Sequence, residues 1–280
     1  RSPPRVQPTL IKRLLLPIDA LGTITLSGLR QLGAGTWLAV DTVSWLVKGV
    51  FSPSVRLGVG GIVAQMVRVG VRSVFIVSLV SACVGLILAL QLAPPLEEFG
   101  QKEGVANIVS IAILRELGPL IGSIVLTGFA GASIAAELGT MVVSEEIEAL
   151  EALGLDPTRF LVVPRVVASV VSMTILAIIA DVVAIASALL ISATVLEIPY
   201  STFLTNVLAQ AKFVDFATGI AKATVFGLLI GLIACINGLS VEGGAAGVGK
   251  ATTNTVVQSV VAIVIADLAF TAVFFALRLV

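Results

Sequence analysis

Four apolar stretches of the chain are each long enough to cross the roughly 30 Å hydrocarbon core of a membrane, which takes about 20 helical residues. They are residues 73–93, 161–196, 216–239 and 253–277. A fifth stretch, 107–135, is as long but contains Arg115, Glu116 and Pro119. The mean hydropathy of +1.11 is too high for a soluble domain, so the surplus apolar surface must face lipid. The sequence therefore predicts an all-α integral membrane protein whose five transmembrane helices occupy residues 73–280.

The first 72 residues differ in composition from the rest. Within 10–51, apolar residues are mixed with charged side chains and with Trp37 and Trp45. Indole rings are common at the headgroup level of membranes, and helices of mixed composition lie in the interface. We therefore expect 1–72 to form a tail and one or more N-terminal interfacial amphipathic helices. A sixth crossing within 10–51 is an alternative that the sequence leaves open.

Lysine and arginine are distributed unequally between the two sides of the predicted bundle. Residues 1–72, 136–165 and 240–252 carry most of those outside the spans, whereas the opposite side carries only Lys102, Lys212 and Arg278. Cytoplasmic segments are enriched in these residues. The N-terminal region and the connection between spans 2 and 3 are therefore predicted to be cytoplasmic, with the C-terminus on the outer side.

The composition also argues against several classes of function. The chain has no histidine, the commonest general base and metal ligand, and its formal net charge is +0. Such a sequence offers no basic patch for nucleic acid. Cys83 and Cys235 both fall in apolar runs and are predicted to be buried small side chains, with no disulfide and no metal site.

Arg115 and Glu116 lie inside the second apolar stretch. At 1.5 Å per residue, Arg115 is about 12 Å along the stretch that begins at Asn107. A charge at this depth is costly unless it is paired or hydrated, so the two side chains indicate a polar cavity or a substrate path. Adjacent residues do not face each other on a helix, so each needs its own partner, and Pro119 is expected to kink the helix nearby. The alternative is a span that begins later and leaves both charges at its end.

Three further ionisable residues lie within apolar spans. Lys222 is near the outer end of its span, where its amine is expected to reach the interface. Asp181 and Asp267 are deeper and are candidate ion-pair or hydrogen-bond partners. A role for them in proton coupling is open, although the missing histidine and their scattered positions disfavour it.

The segment GGAAGVGK, residues 243–250, has the spacing of a phosphate-binding loop. Gly244, Gly249 and Lys250 match G-x-x-x-x-G-K. The next residue is Ala251, however, where magnesium binding requires Ser or Thr, and the segment joins two apolar helices instead of a strand and a helix. We therefore expect a flexible cytoplasmic hairpin that binds no nucleotide.

Small residues recur at four-residue spacing within the spans. They are Gly118 and Gly122, Gly227 and Gly231, and the series Ala180, Ala184, Ala188 and Ser192. Such stripes let helix backbones approach closely in a membrane. Packing within the chain and a homodimer seam use the same pattern, so the sequence leaves both open.

The stretch SEEIEALEALG, residues 144–154, is acidic in a chain with only 12% charged residues. Helical periodicity places Ile147, Leu150 and Leu153 on one face and Glu145, Glu148 and Glu151 on the other. Ser144 is a candidate N-cap, and Gly154 is a C-terminal stop. The sequence predicts a short cytoplasmic amphipathic helix. Anionic headgroups repel its glutamates, so docking into a protein groove is favoured over membrane binding, with a solvated loop as the alternative.

Three motifs resemble one family of permeases. The run RELGPLIGSIVLTGFAGASIAAELGTMVVSEEIEALEALGLDPTRFLVVPRVVAS, residues 115–169, is similar to the signature of the MlaE/YrbE family, the membrane subunits of Mce-associated ABC lipid transporters. The segments GGAAGVGKATTNTVVQS (243–259) and ADLAFTAVFF (266–275) resemble the same family in the same order. The resemblance covers about residues 55–278.

This resemblance implies a five-span permease with an N-terminal interfacial helix that works as a homodimer. A lipid cavity is implied near Arg115, Glu116, Leu117, Gly118 and Pro119. A coupling helix at 144–154, between spans 2 and 3, is implied to bind a separate cytoplasmic ABC ATPase. The residues implied in that contact are Glu145, Glu146, Ile147, Glu148, Leu150, Glu151, Leu153, Gly154 and Asp156. The ATPase would bind ATP and magnesium, so this chain is expected to hold no cofactor and no catalytic residue.

The resemblance further implies a lipid-binding Mce-domain protein on the outer side of the membrane. The implied function is transport of phospholipids or other hydrophobic molecules between membranes, with this chain located in a bacterial inner membrane or a plastid inner envelope. An ion-coupled secondary transporter is one alternative. An intramembrane aspartyl-type enzyme is another, and it would need Asp181 and Asp267 to share a proton.

Two positions depart from the family pattern. Phe129 stands where the family often has arginine, which puts a contact with an anionic headgroup there in doubt. Asn254 stands where a longer polar residue is common. Both departures are expected to affect lipid preference and to leave the fold unchanged.

Overall fold

The computed structural model of the chain describes residues 33, 35–42, 44–45 and 59–278. Within these ranges it contains helices and short connections, and no strand. Five helices are long and apolar enough to cross a membrane. We call them span 1 (Gly60–Glu98), span 2 (Lys102–Val143), span 3 (Thr158–Thr194), span 4 (Phe213–Leu239) and span 5 (Gly244–Ala276). The predicted all-helical chain with five membrane-crossing helices is thereby confirmed.

The first three spans are built from several helical pieces. Span 1 contains α-helices Val59–Val69 and Val74–Glu98 around a 3-10 turn, Val71–Ser73. Span 2 contains a 3-10 turn (Lys102–Gly104), α-helices Val105–Ala112, Gly118–Leu126 and Ala132–Val143, and π-helical turns Ile113–Leu117 and Thr127–Gly131. Span 3 is a π-helical turn, Thr158–Val162, followed by the α-helix Val163–Thr194. Two short helices connect the spans: Glu146–Ala152, here called the acidic helix, and Tyr200–Gln210, here called the outer helix.

Each span begins before its predicted apolar stretch, because a helix does not stop where the lipid ends. Span 5 is one example, since its apolar stretch was predicted to begin at 253. It begins at Gly244, after Gly243 in a left-handed conformation (φ 84°), so residues 244–250 form its first turns. The prediction of a flexible hairpin over GGAAGVGK is therefore wrong. Glycine at position 243 provides the backbone conformation that starts the helix.

The predicted interfacial helices fall mostly outside the described residues, and so does the alternative sixth crossing within 10–51. Residues 35–42 are helical. Trp37 is 75% exposed there. The guanidinium of Arg159, at the start of span 3, lies 5.3 Å from the ring centre of Trp45, within the range of a cation–π contact.

Span 3 is the central helix of the bundle, and small residues let its neighbours approach. A side chain at Gly85 of span 1 would overlap the backbone carbonyl of Ala184. On the other side, a Cβ at Gly227 of span 4 would lie 2.7 Å from the carbonyl oxygen of Ser169 and 2.8 Å from Met173. The stripes predicted at Gly227–Gly231 and Ala180–Ser192 thus pack within the chain.

The outer helix packs on the first part of span 2. Its side chains Phe203 and Val207 are buried in one apolar cluster with Val105, Ala106 and Val109. This helix was not predicted from the sequence. The two cysteines also differ from each other: Cys235 is buried, but Cys83 is exposed, because it lies on the outward face of span 1. The prediction that both are buried is wrong for Cys83.

Candidate functional site

The π-helical turn Ile113–Leu117 places Arg115 and Glu116 within span 2. Pro119 has no N–H to donate to the carbonyl of Arg115, four residues earlier, so regular α-helical bonding is interrupted there. The wider turn accommodates this interruption, and the N–H of Gly118 bonds to the carbonyl of Ile113. As a result the two adjacent charges reach different partners, both on later spans.

Arg115 pairs with Asp215 in the first turn of span 4. Its Nε donates to Asp215 Oδ1 at 2.6 Å, and its Nη2 lies 2.6 Å from the same oxygen. The other carboxylate oxygen of Asp215 accepts from the backbone N–H of Lys212 at 2.9 Å. Asp215 is therefore both the partner of Arg115 and a cap of the helix that carries it, which fixes its position.

Glu116 belongs to a second set of charges centred on Lys222. The Lys222 Nζ lies 2.6 Å from Glu116 Oε2 and 2.9 Å from Asp267 Oδ1, and it donates to Thr271 Oγ1 at 2.9 Å. Thr271 Oγ1 lies 3.0 Å from the other oxygen of Glu116. This arrangement ties span 2 to spans 4 and 5.

These five residues form what we call the outer charge cluster: Arg115, Glu116, Asp215, Lys222 and Asp267. The side chains of Asp215 and Lys222 are each only 2% exposed, whereas Glu116 is 36% exposed. Three carboxylates face two cations, so the cluster has an excess of one formal negative charge. Glu116 is the member best able to contact a molecule beside the bundle.

The structure corrects the expectation for Lys222. Its amine does not extend to the interface but is buried between two carboxylates. Asp267 has the predicted ion-pair role. Asp181 does not, because neither of its carboxylate oxygens has a hydrogen-bond partner among the described residues.

The other residues of the implied cavity lie inside the chain. Gly118 and Pro119 are buried. Gly118 packs directly against Asp181, and Pro119 lies close to Gly219 of span 4. Leu117 lines a small void between spans 1, 2 and 3. Of the five residues implied to line a lipid cavity, Arg115 and Glu116 are thus the two whose polar groups can be reached from outside the bundle.

The acidic helix has clear ends, although its start differs from the prediction. Ser144 is not the N-cap: its Oγ donates to the carbonyl of Thr140 at 3.0 Å, and the cap position is Glu145, in a left-handed conformation (φ 59°). The predicted C-terminal stop is present. Gly154 has φ 73°, and its N–H bonds to the carbonyl of Glu151 at 2.9 Å. This is the geometry of a glycine C-cap.

The two faces of the acidic helix have different environments. Ile147 and Leu150 pack against the core of the bundle. Leu153 is 75% exposed, because it follows the last helical turn and points away from the bundle, so its predicted place on the packed face is wrong. All four glutamates of the segment are exposed: Glu145, Glu146, Glu148 and Glu151. The outward surface of this helix is therefore acidic, with one large apolar side chain.

An acidic groove of about 440 Å³ lies beside the helix. Glu148, Glu151 and Asp156 contribute its charges, and Ile147 and Leu239 contribute apolar walls. The Oδ1 of Asp156 accepts from the backbone N–H of Thr158 at 2.8 Å, which caps the start of span 3. The helix and groove are thus held directly between spans 2 and 3.

A second group of charges, which we call the inner charge cluster, joins three spans on the predicted cytoplasmic side. Glu137 of span 2 lies 2.9 Å from Arg68 of span 1 and 3.1 Å from Arg165 of span 3. Arg165 also donates to the carbonyl of Leu161 at 2.8 Å. This cluster was not among the sites predicted from the sequence.

Asp215 was also missed, although the sequence carries a signal for it. Asp215 and Lys222 are seven residues apart, about two helical turns, which places them on one face of span 4. Of the two departures from the family pattern, Phe129 is 44% exposed on the second π-helical turn of span 2, and Asn254 is half-buried in span 5.

Comparison with known proteins identifies the family. The family model described as Permease MlaE matches residues 62–273. A probable ABC transporter permease protein of Rickettsia prowazekii is 34% identical over 229 residues, which cover 82% of this chain and 88% of the relative. A probable ABC transporter permease protein of Synechocystis is 36% identical over 203 residues, 72% of this chain and 77% of the relative.

A plant protein is similar as well. The chloroplastic protein TRIGALACTOSYLDIACYLGLYCEROL 1 of Arabidopsis thaliana is 36% identical over 211 residues, which cover 75% of this chain and 60% of the relative. The relatives thus come from bacteria and from a chloroplast-containing organism. Together with the five apolar helices, these matches show that the chain is an integral membrane protein and belongs to the MlaE family of ABC transporter permeases.

Proposed function

We propose that this chain is the permease subunit of an ABC transporter that moves lipids, and that a separate ATPase supplies the energy. The observation that carries the proposal is the exposed acidic face of a short helix held between spans 2 and 3 on the predicted cytoplasmic side. Span 2 also carries Arg115 and Glu116. A force applied to this helix therefore reaches the outer charge cluster through one continuous span.

The partner surface follows from the exposed side chains. Since Ile147 and Leu150 are occupied by the bundle, they are not free to enter a groove of the ATPase. The available groups are the glutamates, the acidic groove and Leu153. We therefore infer that the ATPase presents a basic surface with an apolar socket for Leu153, because complementary charge guides protein association and fixes its register.

This docking is tested by reversing charge at Glu148 and Glu151. The double variant Glu148→Lys/Glu151→Lys is expected to release the co-purifying ATPase, with the membrane-bound chain still folded. Glu97→Lys/Glu98→Lys, two exposed glutamates at the outer end of span 1, is the matched control and is expected to retain the ATPase. Equal ATPase recovery from both double variants would exclude the acidic helix as the docking site.

Lipid is the cargo that best fits the outer part of the bundle. Glu116 combines partial exposure with a buried charge network, as expected where a polar headgroup meets a membrane helix. The name of the Arabidopsis relative contains that of a glycolipid, trigalactosyldiacylglycerol. The excess negative charge of the outer charge cluster favours a headgroup that carries a cation.

The cargo proposal is tested by photocrosslinking with a phospholipid that carries the reactive group near its headgroup. Glu116→Gln removes the charge and keeps the size of the side chain, and it is expected to reduce crosslinking several-fold. Glu103→Gln, outside the cluster, is the control. Crosslinking of Glu116→Gln at the wild-type level would return Glu116 to a purely structural role.

Two further partners complete the proposal. The exposed surface of span 5 supports a homodimer, because only 11% of its most apolar stretch is buried, against 56% for span 4. On the outer side, a polar groove of about 560 Å³ supports docking of an Mce-domain protein. Its lining includes Lys102, Glu103, Asn107 and Asn206. We propose that the transporter is located in the inner membrane of a bacterium or in the inner envelope of a plastid.

The aspartyl-enzyme alternative receives no support from the geometry. Asp267 is bound by Lys222, whereas Asp181 packs against Gly118. A shared proton requires the two carboxyl groups to face each other. No observation favours ion-coupled transport over the ABC mechanism.

A further inference from the structure

Asp181 is a buried acid within the membrane-spanning part of the bundle. It lies in the outer half of span 3, about 20 Å from the end of that span at Thr194 by helical rise. The residue is only 2% exposed. Its carboxyl group faces span 2, where Gly118 leaves room for it: a side chain at Gly118 would overlap Asp181 Oδ1.

The carboxyl group has no hydrogen-bond partner among the described residues. Both of its oxygens are unpartnered, and so is the buried Oγ of Ser81 on span 1. Ser81 and Gly118 both line the small void between spans 1, 2 and 3, together with Ile113, Leu117 and Ala184. This void has no room for a water molecule beside Ser81, and Asp181 itself is buried, so solvent does not reach either group in the described conformation.

The titratable groups of the neighbouring spans are engaged elsewhere or make no contact with Asp181. Arg115 and Glu116 of span 2 bind Asp215 and Lys222 of span 4, and Lys222 also binds Asp267 of span 5. The remaining ones away from the span ends are Cys83 of span 1 and Cys235 of span 4. Asp181 thus has no cation nearby that could neutralise an ionised carboxylate.

An ionised carboxylate without a partner is strongly disfavoured in a dry membrane interior, whereas the neutral acid is tolerated. We propose that Asp181 is a proton-binding site: it holds a proton in this packed conformation and loses that proton to water when spans 1, 2 and 3 separate. In that step the carboxyl O–H bond breaks, and an entering water molecule accepts the proton. The ligand of the site is therefore a proton.

The site is linked mechanically to the outer charge cluster. Gly118, which covers Asp181, is three residues from Arg115 and directly follows the π-helical turn. A movement of span 2 that rearranges Arg115 and Glu116 also changes the packing over Asp181. The linkage of the proton to the transport cycle rests on the proposed function, whereas the protonated state in the packed conformation does not.

Infrared spectroscopy of the purified chain tests the protonated state separately. We expect a carbonyl band of a neutral carboxylic acid at neutral pH, and we expect Asp181→Asn to remove it. Asp156→Asn, in the cytoplasmic connection, is the control and should leave the band unchanged. Because asparagine resembles the neutral acid, Asp181→Asn is expected to fold normally. A spectrum in which Asp181→Asn removes only an ionised carboxylate band would overturn the proposal.

The linkage has its own readout in the assembled complex. With a pH indicator in weak buffer, ATP binding to the wild-type complex should change the amount of bound proton, and the complex with Asp181→Asn should show a smaller change. An equal change in both complexes would overturn the linkage alone. Loss of ATPase recovery or of lipid crosslinking would instead count against the proposed function, so the two failures are distinguishable.

Discussion

The outer and inner charge clusters of the bundle differ in how well water reaches the residue that two partners share, Lys222 in the outer charge cluster and Glu137 in the inner one. In the outer charge cluster, the side chain of Lys222 is 2% exposed and contacts two carboxylates. In the inner charge cluster, Glu137 is 24% exposed, and its two partners are Arg165, 5% exposed, and Arg68, 45% exposed. Removing one member of a buried pair leaves an uncompensated charge, whereas water replaces a lost partner at the surface.

The two clusters are therefore expected to tolerate substitution differently. In the outer charge cluster, loss of the shared and buried Lys222 leaves both Glu116 and Asp267 without their cation, so the cluster must stay paired or rearrange as a unit. The inner charge cluster has a carboxylate shared by two arginines, so one pair persists when the other is lost. The outer charge cluster is therefore the part suited to having two discrete arrangements during transport.

The largest effect is expected for Lys222→Met. The substitution leaves Glu116 and Asp267 without their common cation, and the expected loss of stability is about 3–5 kcal/mol. Thermal unfolding of the detergent-purified chain measures it. Lys250→Met, an exposed lysine in the first turns of span 5, is the control and should unfold like wild type.

A compensated variant sharpens this test. Adding Glu116→Gln and Asp267→Asn to Lys222→Met removes the unpaired charges and should restore part of the lost stability. If Lys222→Met unfolds at the wild-type temperature, the outer charge cluster does not depend on its buried cation, and the proposed difference between the two clusters is wrong.

A smaller effect is expected from crowding beneath the outer charge cluster. A side chain at Gly219 would overlap the backbone carbonyl of Leu114, so Gly219→Ala must push span 4 away from span 2. Overpacking of this kind typically costs about 1–3 kcal/mol. The control is Gly249→Ala in the first turns of span 5, where nothing lies within 4 Å of the added carbon. Equal melting temperatures for the two variants would show that this close approach is unimportant.

The smallest effect is expected for Arg68→Met. The guanidinium is partly exposed, and Glu137 keeps Arg165 as a partner. The expected loss is below about 1 kcal/mol, as for other exposed ion pairs, and the same unfolding measurement checks it. A loss as large as that of Lys222→Met would remove the distinction between the two clusters.

Much of the fold could be predicted because a helix needs about 20 apolar residues to cross the hydrocarbon core of a membrane. Five apolar runs give five spans, and the glycine at 154 ends the acidic helix as expected. The span ends were less predictable, since residues such as 244–250 continue a helix beyond the length that the lipid requires. The outer helix was missed because it is too short to cross a membrane, and its side chains Phe203 and Val207 are buried only by tertiary contacts.

The candidate site could be predicted only in part. The depth of Arg115 and Glu116 correctly indicated that each needs a partner from elsewhere in the bundle. The partner Asp215 lies 100 residues further along the chain, and local periodicity carries no information about such a contact. The burial of Lys222 could not be predicted, because it depends on two carboxylates from other spans. Its position in the sequence alone indicated a side chain at the interface. Leu153 was misplaced because the helix ends before it.

The central claim is that ATP hydrolysis by a partner moves lipid through this chain. The most direct test reconstitutes the complex of the chain and its ATPase into vesicles and follows transfer of a fluorescent phospholipid between donor and acceptor vesicles. We expect transfer that requires ATP, and we expect Glu116→Gln to slow transfer several-fold while ATP hydrolysis continues. Lipid transfer that proceeds equally without ATP, or an ATP-driven ion flux with no lipid transfer, would contradict the claim.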